Sequence, residues 1–136
     1  IKRNTKDIDS PDEKIRAYIN TMAEAMDKNP RMPSIMLREV ASGGVNLPDA
    51  VIADFAGIIG IVGSIVEEGV GKGRFAQNDP LMVHLMVVGT FALFKVSTNI
   101  RSRYEADLLE AGEKAGDVSG VISSRVADMV VKALSR

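Results

Sequence analysis

Few side chains in this sequence could perform catalysis or bind a metal ion. His84 is the only histidine and the chain contains no cysteine, so the ligand clusters typical of zinc sites are missing. The acidic pairs Asp12–Glu13 and Glu67–Glu68 are adjacent in sequence, and adjacent residues on a helix point in different directions. Neither pair can therefore act as an acid/base dyad. We predict a protein that is not an enzyme and has no metal ion and no cofactor.

A group of glycines invites comparison with a phosphate-binding loop. These glycines are Gly57, Gly60, Gly63, Gly69, Gly71 and Gly73. A phosphate-binding loop needs a strand before it, a helix after it, and a Lys-Ser or Lys-Thr pair. Here Lys72 is followed by glycine and the flanking segments are helical in pattern. We interpret the glycines as a packing face and a helix C-cap.

Polar residues within apolar helices allow more than one interpretation. His84 is either a hydrogen-bonded histidine in the core or at a subunit interface, or it orients a polar group of a ligand, together with Lys95, at the mouth of an apolar cavity. Arg38 and Glu39 are charged residues on a short helix that looks buried, and an ion pair to another helix is the simpler explanation for their presence there.

The methionines carry a similar ambiguity. They are Met22, Met26, Met32, Met36, Met82, Met86 and Met129. Methionine fills irregular gaps in a core, and it also adapts to ligands of varied shape. Both uses remain open from the sequence.

Composition and charge narrow the class of protein. A chain of 136 residues suits one domain with a single core. The net charge of −1 and the few local basic residues, such as Arg101 and Arg103, are too little for a nucleic-acid site. The missing cysteines fit the cytoplasm, no secretory signal opens the chain, and the apolar run at 81–94 is too short for a membrane span. The start at Ile1 suggests that an upstream segment was removed or not built.

Proline and glycine punctuate a series of predicted helices. The first opens at Ser10 with a predicted capping box and ends near Lys28. The second is bounded by Pro30 and Pro33 before it and by the glycines at 43–44 after it. Asn46 is the predicted cap of the third helix, which has large residues on one face and small ones on the other. The predicted class is all-α.

The fourth and last helices look too apolar to be covered by one small chain. The fourth, capped by Asp79, is apolar almost all round from residue 81 to 94. A polar helix is predicted over residues 100–112. The last helix, from Val118 to Leu134, carries a wide apolar stripe. Either these helices are central, or a second subunit covers them.

The segment "NPRMPSIMLREVASGGVNLPD" at 29–49, the helix end "EEGVGKGRFAQNDP" and the apolar helix that follows resemble the C-terminal domain of tetracycline-repressor (TetR) family regulators. The resemblance covers residues 29 to about 94. It implies an all-α bundle of about five to six helices, a cytoplasmic homodimer joined through a four-helix bundle, and a cavity for a small-molecule effector. Operator DNA would be bound by an N-terminal helix-turn-helix, which does not precede Ser10 here, and no membrane is involved.

The resemblance also assigns site residues. The expected ligand-binding residues are Met22, Met26, Phe55, Ile59, Val62, His84 and Phe91. The expected dimer interface comprises Leu85, Val88, Gly89, Ala92, Val121, Ile122, Val126, Met129 and Val130.

Residues 1–9 are expected to be a linker or a remnant of an upstream region, and residues 10–136 an effector-binding and dimerisation domain. The favoured function is the regulatory half of a repressor that a small apolar or amphipathic effector releases. The alternatives are a structural helical dimerisation module without a ligand and, with less support, a helical-bundle enzyme, which would need convergent titratable groups.

Overall fold

The computed structural model describes residues 8–103 and 118–136, and this part of the chain is helical. Its six helices are α1 (Pro11–Lys28), α2 (Met32–Ala41), α3 (Asp49–Gly71), α4 (Pro80–Val96), α5 (Thr98–Arg101) and α6 (Val121–Leu134). Within the same residues, extended pairing is limited to an isolated bridge between Phe75 and Ser135. The predicted all-α class is confirmed. Most of the polar helix predicted over residues 100–112 lies outside the described residues.

The helices begin close to the predicted positions, but two of the three predicted N-terminal caps are not formed. Ser10 is the N-cap of α1, but its side chain makes no capping hydrogen bond, so the predicted capping box is not formed. The prediction that Asn46 caps the third helix is wrong, because α3 begins at Asp49 directly after a proline. The predicted cap of α4 is confirmed, since the Leu81 N–H donates to Asp79 Oδ1 at 2.8 Å.

Glycines end α2 and permit a close contact after α3. Gly43 and Gly44 have φ angles of 77° and 72°, a left-handed conformation that costs glycine little. Gly69 has a different role, because a Cβ atom placed on it would lie 2.0 Å from Phe75 Cδ2. The ring of Phe75 therefore packs directly on the backbone of α3, which any larger residue at 69 would prevent.

The core lies where α1, α4, α6 and the second half of α3 meet. α1 packs against α3, α4 and α6, while α2 packs mainly against α4. Side chains with no exposed surface include Ile15, Tyr18, Ile19, Val62, Val87, Phe91 and Val118. By length and composition alone, α3 could cross a membrane. Buried helices of ordinary domains pass that test too, and the second half of α3 is part of the core.

Charged contacts hold both ends of α1. Near its start, Arg74 donates two hydrogen bonds to Asp12, at 2.7 and 2.9 Å, and these lower the pKa of that carboxyl. Near its end, Asp27 accepts from Lys95 Nζ at 2.6 Å and from Ser119. Burial of Asp27 opposes its ionisation, but these hydrogen bonds outweigh it and lower the pKa to about 2. Asp27 thus joins α1, α4 and the segment that leads into α6.

Candidate functional site

A cavity of about 800 Å³ lies among α1, α2, α3 and α4. Its lining consists of Met22, Ala25, Met26, Lys28, Asn29, Pro30, Arg31, Met32, Ile35, Met36, Glu39, Val40, Leu47, Val51, Phe55, Ile58, His84 and Val88. Most of these side chains are apolar, and the few polar ones belong to the α1–α2 corner, α2 and α4. A concave, mostly apolar space of this size with a few polar groups is typical of small-molecule sites.

One face of α2 forms a large part of this lining. The α2 residues involved are Met32, Ile35, Met36, Glu39 and Val40, which are spaced so that they share one side of a helix. Pro33 is the buried residue of α2, and Met32 and Met36 pack partly against the core while they also line the cavity. Ile35 and Val40 stay 56% and 68% exposed.

The first half of α3 forms the facing side. Val51, Phe55 and Ile58 follow at steps of four and three residues and are half-buried. The corner at Gly43 and Gly44 turns the chain between α2 and α3 and places these two apolar faces around the same space. The cavity therefore forms because the apolar faces of α2 and α3 do not pack fully against each other.

His84 reaches the cavity from α4 and is already bonded to α1. Its Nδ1 atom and the Tyr18 hydroxyl share a hydrogen bond of 2.7 Å, and both side chains are buried. Burial lowers the pKa of His84 and raises that of Tyr18, so the neutral form of each is favoured. Lys95 is not among the lining residues, and its ammonium group pairs with Asp27. The two interpretations of His84 are thus compatible, whereas Lys95 takes a structural part.

Glu39 presents an unsatisfied oxygen. Its Oε2 atom is buried and has no hydrogen-bond partner among the residues that the structure describes. The expected ion pair between another helix and Arg38 or Glu39 is likewise missing from the described residues, and Arg38 is exposed. A buried carboxylate oxygen without a partner is rare, because it loses its hydration without compensation.

The structure places the expected ligand-binding residues in two environments. Met22, Met26, Phe55 and His84 line the cavity. Val62 and Phe91 have no exposed surface and pack in the core instead, while Ile59 is not part of the lining and its neighbour Ile58 is. Helical spacing identified the apolar faces, but it could not show where packed core gives way to open cavity.

Sequence reasoning missed the contribution of α2. Four of the seven methionines line the cavity, and two of those, Met32 and Met36, lie on α2. The signal was present, since the apolar stripe of α2 has regular helical spacing. It was overlooked because a stripe of this kind usually packs against a core.

The residues expected at a dimer interface also divide into two groups. Leu85, Val121 and Met129 are 51%, 52% and 70% exposed. Val88, Ala92, Val126 and Val130 are buried within the chain itself, and Gly89 and Ile122 are partly buried. The outward side of α4 is an apolar surface, here called the α4 face, made of Leu81, Met82, Leu85, Met86, Leu93 and Val96.

Other candidate sites in the described residues are weaker. A cleft of about 350 Å³ between α1 and the start of α6 is smaller and has a mostly polar lining that includes Arg16 and Asn20. Within residues 8–103 and 118–136, no group of three His, Cys, Asp or Glu side chains could hold a metal ion. The apolar cavity is accordingly the candidate functional site.

Comparison with known families places this fold. Residues 8–94, from before α1 to near the end of α4, match the family described as "Tetracyclin repressor-like, C-terminal domain". No curated protein and no solved structure matches the chain significantly. The chain belongs to this family of tetracycline-repressor-like C-terminal domains. Such domains are the regulatory, non-enzymatic parts of transcription regulators, which typically act in the cytoplasm and generally form homodimers and bind small effectors.

Proposed function

We propose that this chain is the effector-binding and homodimerisation domain of a transcriptional repressor, and that a small apolar or amphipathic molecule in the α1–α4 cavity releases the repressor from DNA. The observation that carries this proposal is the cavity of about 800 Å³, whose apolar lining is left partly exposed. Operator DNA would be bound by a helix-turn-helix domain N-terminal to residue 10.

The exposed lining supports a ligand. Apolar surface in water costs roughly 25 cal/mol per Å² relative to buried surface. Ile35 and Val40 are more than half exposed although they face a concave space. A molecule with an apolar body would remove this surface from water and would add contacts between α2 and α3.

The position of α4 suggests how binding could reach a partner subunit. His84 and Val88 of α4 line the cavity, while Leu85 and Met86 lie on the α4 face. A ligand that favours one position of α4 would therefore also change the surface offered to a second copy. Because half-sites on DNA are separated by helical turns, a small rotation between subunits could prevent both DNA-binding domains from engaging together.

The dimer that we propose places the α4 face and the outward side of α6 against their symmetry equivalents in a four-helix bundle. Val121 and Met129 of α6 are exposed and would contact the partner. The buried residues Val88 and Val126 would instead hold α4 and α6 within their own subunit.

Binding can be tested with the uncharged fluorescent dye N-phenylnaphthylamine and a screen of apolar competitors. Ala25 lines the cavity, so Ala25→Phe should narrow it and weaken dye binding by about tenfold. Ala56→Phe is the matched control, because Ala56 is exposed on α3 and outside the lining. No saturable dye binding, or equal binding in both variants, would favour a structural dimerisation module without a ligand.

Sedimentation velocity tests the dimer. Leu85→Asp and Met129→Asp should each shift the wild-type dimer toward monomer without unfolding the subunit, because both positions are at least half exposed. Val45→Asp, at a loop position that is 79% exposed and outside both surfaces, should leave the dimer intact. A wild-type chain that sediments as a monomer would overturn the interface.

A further inference from the structure

We infer that the effector carries a protonated nitrogen, and that the Glu39 carboxylate binds it inside the cavity. This inference rests on the proposed function and adds the chemical class of the molecule. It assigns an amphipathic amine: an apolar body against the methionines and branched side chains, and a cationic head at Glu39. The starting observation is the buried, unpartnered Oε2 atom in an otherwise mostly apolar lining.

The placement of Glu39 on α2 favours this role. Glu39 shares one helix face with Ile35 and Met36, so its carboxylate belongs to the same surface as the apolar contacts. A buried carboxylate is stabilised by a cation or by donors, and the described residues supply neither to Oε2. A ligand nitrogen can supply both at once, since an ammonium group is a cation with several N–H donors.

The other ionisable groups of the lining are either already hydrogen-bonded or exposed at its edge. His84 is bonded to Tyr18 and burial favours its neutral form, so it is not a competing cation. Lys28 has a side chain that is 75% exposed and lies 3.7 Å from Glu24, and Arg31 is also exposed. These two cations are hydrated at the outer edge, where they would bind an anionic head only weakly. Glu39, half-buried as a residue, is the charged group of the lining that has a buried oxygen without a partner.

The test uses three probes with one apolar body and different heads: decylamine, decanol and decanoate. Each would displace N-phenylnaphthylamine from the 136-residue chain at neutral pH, at concentrations below the solubility limit of decanol and below those at which the two charged probes form micelles. The variant is Glu39→Gln, which keeps the shape and removes the charge. Glu67→Gln is the matched control, because Glu67 is exposed on α3 and outside the lining.

The expected result is that decylamine binds about tenfold more tightly than decanol, and that Glu39→Gln removes this preference while Glu67→Gln keeps it. Equal binding of the probes, tightest binding of decanoate, or an amine preference that survives Glu39→Gln would overturn the assignment. The effector site itself would stand in those cases, because the dye still binds.

Failure of the dye and all probes to bind would overturn the proposed function together with this inference. Circular dichroism establishes that each variant is folded. Glu39→Met, which suits an apolar lining, replaces Glu39→Gln if the latter does not fold. If neither folds, the ranking of the three probes on the wild-type chain decides.

Discussion

The two halves of α3 lie in opposite surroundings although they form one continuous helix. In the first half, residues 49–60, the side chains are exposed or half-buried, and those of Val51, Phe55 and Ile58 line the cavity. In the second half, residues 61–71, Val62 and Val66 are at most 1% exposed. The second half therefore contributes to stability, and the first half is left available for a ligand. A single rigid element connects the two.

The contrast predicts very different costs for removing two phenylalanines. Phe91 has no exposed surface and packs in the core, so Phe91→Ala should lower the free energy of unfolding by about 3–5 kcal/mol. Phe55 is half-buried on the cavity side, so Phe55→Ala should cost about 1 kcal/mol or less. Urea unfolding at one protein concentration measures both. Similar losses would mean that the first half of α3 is packed as tightly as the core.

Two glycines, one in each half of α3, test the same contrast. Gly69→Ala should destabilise the fold by about 2–3 kcal/mol, because its Cβ atom would lie 2.0 Å from Phe75 Cδ2. At Gly57, nothing lies within 4 Å of an added Cβ atom, so Gly57→Ala should stabilise the helix by up to about 1 kcal/mol. Thermal unfolding of both variants measures the difference. A loss in both would indicate that a second subunit packs against the small face of α3.

The sequence was sufficient to predict the helices but not to divide them between core and cavity, since it assigned the core residues Val62 and Phe91 to the ligand site. Helical spacing, the prolines and the glycines at 43–44 predicted the helices and their corners, because those signals are local. The sequence could not show that the stripe of α2 lines a cavity, or that Phe91 and Phe55 differ in burial, because both depend on how far two helices separate. The unpartnered Glu39 oxygen was also invisible, since an ion pair was the simpler expectation.

Asp27 makes the stability of the fold depend on pH in the acidic range. Its pKa is about 2 in the fold against 3.8 in the unfolded chain, so the folded state binds fewer protons and the stability it contributes is complete above pH 3.8. This contribution, roughly 2 kcal/mol, is lost as the pH falls from 3.8 toward 2. Asp27→Asn should therefore be less stable than the wild type at neutral pH.

The difference between Asp27→Asn and the wild type should shrink as acid is added, which urea unfolding at a series of pH values can follow. Asp54→Asn is the control, because Asp54 is exposed on the first half of α3. A constant difference from neutral to acidic pH would show that the hydrogen bonds of Asp27 do not depend on its charge.

The smallest expected effect belongs to His84, which stands between the core and the cavity. Burial lowers its pKa below the value of 6.5 that it has when unfolded, so the folded chain holds it neutral while the unfolded chain takes up a proton more readily. The free energy of unfolding should thus fall as the pH drops below 6.5, and His84→Gln should reduce that fall. Since this is the only histidine, its Cε1–H resonance can be followed by NMR without assignment. A midpoint at or above 6.5 would place the imidazole in water or beside an acidic group. In that case, His84 would not be a buried, neutral group that bonds to Tyr18 and lines the cavity.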